Sequence, residues 1–142
     1  MRHQKLCCAL LVLLLASILP SSAYDSAQAG APQTISGGDG VSFVIDGGGS
    51  LWAWGSNEWG QLGDGTTEDR STPVKVLEGV RSVSAGEGHT YAVTEDDTLW
   101  AWGRNVSNAF PGQDDLSFSL SPVRLMDGVQ SASTGTCTHL AV

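Results

Sequence analysis

His89 is the side chain in this sequence best suited to moving a proton, and nothing beside it completes a catalytic set. No second histidine or cysteine lies at ligand spacing from it, and Cys137 and His139 fall some fifty residues away. A structural zinc site needs four such ligands. Hydrolysis by paired carboxylates, or by a Ser/His/Asp set, needs acids held at one site. Asp39, Asp46, Glu58 and Asp64 are available, yet each sits in a Gly-rich turn and nothing in the spacing brings two together. Glu95-Asp96-Asp97 lacks the alternating acid order and distal Glu of a calcium loop. Gly47-Gly48-Gly49 has no following Gly-Lys-Ser/Thr and no helix, so it is not a phosphate loop. The residues point to a protein without cofactor, metal or catalytic centre, and therefore to binding.

The candidates for binding are aromatic. Trp52 and Trp54 share one strand face, as do Trp100 and Trp102. They could form a platform for a ligand, but packing between layers suits them better, since each indole can bury about 150–250 Å². Trp59 differs, because it lies in a polar loop and has no Trp counterpart. It is either a contact anchor or a ring folded back over its own sheet.

Those tryptophans belong to a repeat. Leu51-Trp52-Ala53-Trp54-Gly55 recurs letter for letter as Leu99-Trp100-Ala101-Trp102-Gly103, 48 residues on. Gly38-Asp39-Gly40 aligns with Gly86-Glu87-Gly88, and Ser71-Thr72-Pro73-Val74 with Leu120-Ser121-Pro122-Val123, one residue out of step. A third copy begins at Gly135-Thr136-Cys137. A period near 48 is that of a propeller, solenoid or array. β-branched and aromatic runs predict strands over 33–36, 41–45, 51–54 and 73–77. The second copy predicts 80–85, 90–94, 99–102 and 122–126, and a third begins with 129–133 and 139–142. Asp46-Gly47-Gly48-Gly49 is a hairpin turn, replaced by Glu95-Asp96-Asp97 in the second copy. Pro73 should start an edge strand. The fold class is all-β, of β-propeller type, with four-stranded antiparallel blades. Residues 33–79 form the first blade, 80–128 the second and 129–142 a partial third.

At this point the residues resemble a known family. Gly86-x-x-His89-x-x-Ala92-Val93, Leu99-x-x-Trp102-Gly103, Asn57-x-x-Gly60-Gln61-Leu62-Gly63-x-Gly65 and Val80-x-x-Val83-x-Ala85 are similar to the repeat of the regulator of chromosome condensation family, RCC1. The second copy departs from it after Asn105, where Gly112-Gln113 is followed by Asp114-Asp115 instead of Leu and Gly. The resemblance implies a seven-bladed ring, of which two blades and half a third are expected here. Such a piece is expected to associate with itself or with a further repeat-containing segment. The resemblance also implies that His89 is a structural repeat residue. Members of the family exchange guanine nucleotides on a nuclear GTPase, and others are exported, including an inhibitor of β-lactamases. The loops joining the first two strands of each blade share one end of such a ring. That places Asp39, Glu87 and Thr136 on a candidate protein-binding face, with Trp59 as an outlying contact. A propeller hydrolase of glycoside type, or a decayed gene fragment, is the competing reading.

The N-terminus decides the compartment. Arg2, His3 and Lys5 precede an apolar run to Leu19, then Pro20 and Ser21-Ser22-Ala23. That order reads as a secretory signal peptide over 1–23, with 24–32 as a flexible mature start. The apolar run is shorter than the ~20 residues of a membrane span, so no span is expected after cleavage. The protein is expected to be secreted or at the cell surface. Cys7 and Cys8 leave with the signal, and Cys137 alone remains, so no disulfide forms within the chain. The net charge of −8 deepens by two when Arg2 and Lys5 are removed. Nucleic acid is therefore not expected as a partner; a protein or cell-surface ligand is. Asn105-Val106-Ser107 is an N-glycosylation sequon. Mass spectrometry of the exported protein is expected to show Tyr24 as its first residue, and a mass beginning at Met1 would refute export by cleavage.

Overall fold

The computed structural model describes residues 34–38, 40–105, 110 and 117–134. They hold eight strands: β1 (Thr34–Gly38), β2 (Val41–Ile45), β3 (Leu51–Gly55), β4 (Arg70–Leu77), β5 (Val80–Ala85), β6 (His89–Thr94), β7 (Leu99–Arg104) and β8 (Phe118–Met126). Antiparallel pairing collects them, in chain order, into two four-stranded sheets, β1 to β4 and β5 to β8. These are two propeller-type blades. Of the expected third, residues 129–133 contain only an isolated bridge at Ser131, and 139–142 lie outside the described residues. The expected leader over 1–23 lies outside them too. Among the described residues no helix is long and apolar enough to cross a membrane.

Each blade follows from its local sequence. Val41, Phe43 and Ile45 alternate with Ser42 and Val44, so one face of β2 is apolar and buried. At the first hairpin the Asp46 N–H donates to the Ser50 carbonyl at 3.0 Å. The Asp46 carboxylate accepts from the Gly48 and Ser50 N–H groups and from Trp52 Nε1, each at 2.9 Å. In the second hairpin Asp97 takes the left-handed conformation, φ 60°, which Gly49 takes in the first. The outer strands start earlier than expected. β4 begins at Arg70, so Pro73 lies inside it, in a register shift where β3 pairs Ala53 with Val74 and Gly55 with Arg70. Pro122 occupies the matching shift of β8. A bulge on an edge strand asks no ladder bond of proline.

The core is the seam between the blades. Val41, Phe43, Ile45, Leu51 and Ala53 of the first blade meet Val83, Ala92 and Trp102 of the second. Phe43 meets the edge of Trp102, ring centroids 6.4 Å apart. Packing is closest between β1 and β5, where a Cβ at Gly38 would stand 3.1 Å from the Ala85 carbonyl oxygen. On its far side the second blade repeats the first blade's half of the seam, with Tyr91, Val93, Leu99, Ala101 and Phe110 joined by Val129. No such cluster covers the first blade's far side among the described residues. Ile35 there is 46% exposed, whereas its counterpart Val83 in the seam is 8% exposed.

Trp102 is fully buried at the centre of this seam. Trp102→Ala is expected to destabilise the protein by about 3–5 kcal/mol, as for large aromatic truncations in packed cores. Urea unfolding followed by far-UV circular dichroism measures the loss; an unchanged midpoint would show that the seam does not carry the fold.

Candidate functional site

The loop between β3 and β4 connects the two blades, and one asparagine organises it. The fully buried Asn57 donates through Nδ2 to the Thr66 and Glu68 carbonyls at 3.0 and 3.1 Å and accepts from the Leu62 N–H at 3.0 Å. Two successive turns, Gly60 N–H to the Asn57 carbonyl and Gly63 N–H to the Gly60 carbonyl, coil the segment between. Asp64 closes the loop, with Arg70 Nε 2.6 Å from its carboxylate. Burial raises the Asp64 pKa, but hydrogen bonds from Thr66, Arg70 and Asn57 outweigh it and hold the carboxyl below its ordinary 3.8. The Asp64 carboxylate is thus engaged by the loop's own donors. Asp46 is likewise held low, its hydrogen bonds from Trp52, Ser50 and Gly48 outweighing burial.

Coiled this way, the loop reaches the second blade. The Gln61 carbonyl accepts from Thr90 Oγ1 at 2.9 Å and from Trp102 Nε1 at 2.8 Å. The Gly65 N–H donates to the Leu120 carbonyl at 2.8 Å. Leu62 fills the seam. Gly63, at φ +80°, lies under the Trp102 ring, where a Cβ would stand 2.7 Å from Nε1. Glycine is needed there both for the backbone and for the contact.

The same coil delivers Trp59. Its N–H donates to the Gln61 side-chain oxygen at 2.8 Å. The ring neither projects freely nor folds over its own sheet: it crosses to the next blade. A Cβ on Gly88 would stand 3.2 Å from Trp59 Cδ1, and the Arg104 guanidinium carbon lies 4.6 Å from the ring centroid. Trp59 remains 40% exposed. Arg104 is anchored through its N–H to the Gly88 carbonyl at 2.8 Å. Glu87 is exposed on the same turn, so the structure brings Trp59 next to the turn that carries Glu87. Asp39 and Thr136 lie outside the described residues. Arg104 was missed by sequence reasoning; only its place after Trp102-Gly103, at the end of a strand, hinted at this position.

His89 sits beneath the Glu87 turn. It is buried, with Nδ1 3.3 Å from the Glu87 carbonyl and its ring edge-to-face with Tyr91 at 5.5 Å. Burial lowers its pKa below 6.5, against smaller opposing effects of the Glu87 carbonyl and carboxylate. Its partners are a backbone carbonyl and a neighbouring ring, which fits a structural imidazole. Among the described residues no three His, Cys, Asp or Glu side chains gather as a metal site. Cys137 and His139 lie outside them.

As the pH falls below 6.5 the unfolded chain takes up the His89 proton before the folded one does, so folding is progressively disfavoured. Asp46 and Asp64 contribute stability above the carboxylate range, which is lost only as pH falls through their lowered values. His89→Gln is expected to flatten the fall in urea midpoint between about pH 7.5 and 6. An equal slope in the variant would assign it elsewhere.

Models of the regulator of chromosome condensation (RCC1) repeat match residues 48–93 and 80–108. The first match begins before β3 and ends with β6, so the sequence unit comprises half of each blade and the seam between them. A curated relative, the mouse secretion-regulating guanine nucleotide exchange factor, is 44% identical over 63 residues. Those residues are 43% of this chain and 14% of the relative. Among solved structures, human WBSCR16 is similar with a TM-score of 0.68 at 23% identity, over 75% of this chain and 29% of that one. Prp20p of Saccharomyces cerevisiae, described with its binding to Gsp1p and histones, gives 0.59 at 21%, over 72% and 29%. The same yeast protein, RCC1 (Prp20), in a structure with Kap60 bound, gives 0.63 at 23%, over 73% and 28%. The chain thus spans less than a third of the length of each of these proteins. With two sheets of one plan, joined by the Asn57 loop that the family model covers, this chain carries repeats of the RCC1 family.

Proposed function

We propose that this chain is an exported, non-catalytic module that binds a protein partner or cell-surface ligand through the blade end where Trp59, Glu87 and Arg104 meet. Asp39 and Thr136 enter this reading only through the resemblance of their repeats, since both lie outside the described residues. The observation that carries the reading is the exposure of Trp59. Its loop packs Leu62 into the seam and exposes mostly polar residues, yet it leaves a large aromatic ring 40% exposed beside a cation. Exposed aromatic and arginine side chains are the residues that most often anchor protein contacts. Export is read from the basic, apolar and small-residue order of residues 1–23. Protein partners are supported by one similar protein, yeast Prp20, described with its binding to Gsp1p and histones and in a complex with Kap60. Nucleotide exchange, named for the mouse relative, is not carried over from 14% of its length.

The test places a photo-crosslinking residue at position 59 of the exported protein and another at Lys75, on the outer strand. Specific capture from position 59, competed by unlabelled protein and weakened at least tenfold by Glu87→Lys, is expected. Turnover of an ester, peptide or glycan substrate that is abolished by Glu87→Gln would move the protein to the enzymes.

A further inference from the structure

We propose that Arg104, seated on Trp59, is a receptor for one carboxylate of the partner, an aspartate or glutamate side chain on an otherwise neutral or basic surface. This rests on the protein-binding reading and names the chemistry it uses. The described residues include five basic side chains, and four are spent on acids: Arg70 on Asp64, Lys75 on Glu78, Arg81 on Asp97 and Arg124 on Asp127. Arg104 alone among them has no carboxylate of a described residue within ion-pair distance. In a chain with 15 acidic and 7 basic residues that is the less expected arrangement. Its charge is met instead by the face of Trp59 at 4.6 Å. Such a contact leaves the N–H edges of the guanidinium able to donate.

The ledge is also held in place before any ligand arrives. Trp59 is fixed by its N–H bond to the Gln61 side chain, and Gln61 is fixed to the second blade through its carbonyl. The Arg104 main chain is tied to Gly88, whose missing side chain lets the indole approach. A guanidinium already restrained loses less freedom on binding, and its planar fork matches a carboxylate with two parallel hydrogen bonds. The surroundings limit the partner. Exposed Glu58 and Glu87 adjoin Trp59 and Gly88 in the chain, and the net charge is −8, so a strongly acidic partner is repelled. One acid amid neutral or basic neighbours satisfies both conditions.

The exported protein, labelled with nitrogen-15, is titrated with the capped peptide acetyl-Gly-Glu-Gly-amide and with its Gln counterpart. The Trp59 indole N–H and Arg104 Nε–H resonances are followed. The Glu peptide is expected to shift both, the Gln peptide neither. Arg104→Gln should weaken the response at least fivefold and Arg104→Lys less, with near-UV circular dichroism of the buried Trp102 unchanged in both. Equal shifts from the two peptides, or an undiminished response in Arg104→Gln, would overturn the assignment. So would inorganic phosphate acting more strongly than the Glu peptide. If capture at position 59 survives Arg104→Gln, the binding face stands and only the carboxylate receptor fails. If the Glu peptide binds and no partner is captured, the reverse holds.

Discussion

A single main-chain oxygen fixes how the two sheets meet. The Gln61 carbonyl takes one hydrogen from the Thr90 hydroxyl and one from the Trp102 indole, and all three groups are buried. Lifting the loop would leave both donors without an acceptor in an apolar seam, at about 1–3 kcal/mol each. The loop, the Trp102 ring and the position of Trp59 therefore stand or fall together. The exposed ledge inherits its rigidity from buried groups several residues away.

The two copies solve the same problems with different side chains. In the first blade Asp46 accepts the Trp52 indole hydrogen. The corresponding residue in the second is Thr94, whose hydroxyl is donated to Asp96 and the Thr98 carbonyl. Trp100 Nε1 is consequently buried without a partner among the described residues. Leu62 has its own substitute. The Phe110 N–H donates to Asn105 Oδ1 just as the Leu62 N–H does to Asn57, and Phe110 is fully buried in the second apolar cluster. Counting from the motif letters Gly112-Gln113 put the coil later in the loop; the hydrogen bond to Asn105 shows that a larger ring has taken over the leucine's place.

Much of this was legible in the letters. The duplicated Leu-Trp-Ala-Trp-Gly string and the alternation in 41–45 identify strands, sheets and repeat, because β-pairing imposes a period of two that side chains must obey. That His89 is a structural residue was legible from the resemblance of its repeat, and its isolation from other ligands spoke against a metal site. What stayed hidden depends on contacts between copies. Trp59 lies in a polar loop, and no local pattern tells whether its ring turns to its own sheet, to solvent or to Gly88. Arg104 reads as one more surface cation until the loop of the preceding blade places an indole under it. Edge strands β4 and β8 begin earlier than the prolines suggest, since bulges hide pairing from a periodicity test.

The offset between sequence unit and sheet bears on how such a chain changes length. The matched segment 48–93 holds the acceptor Gln61 and the donor Thr90 together, while each sheet draws its strands from two successive units. A duplication or loss of one unit therefore copies or deletes the Gln61–Thr90 pair together, while the second donor, Trp102, belongs to the following unit. The strands at either border find complementary halves already present. Growth by such steps keeps that pair whole and leaves the indole donor to be supplied by whichever unit follows, which is a property of where the unit is cut and not of any single residue within it.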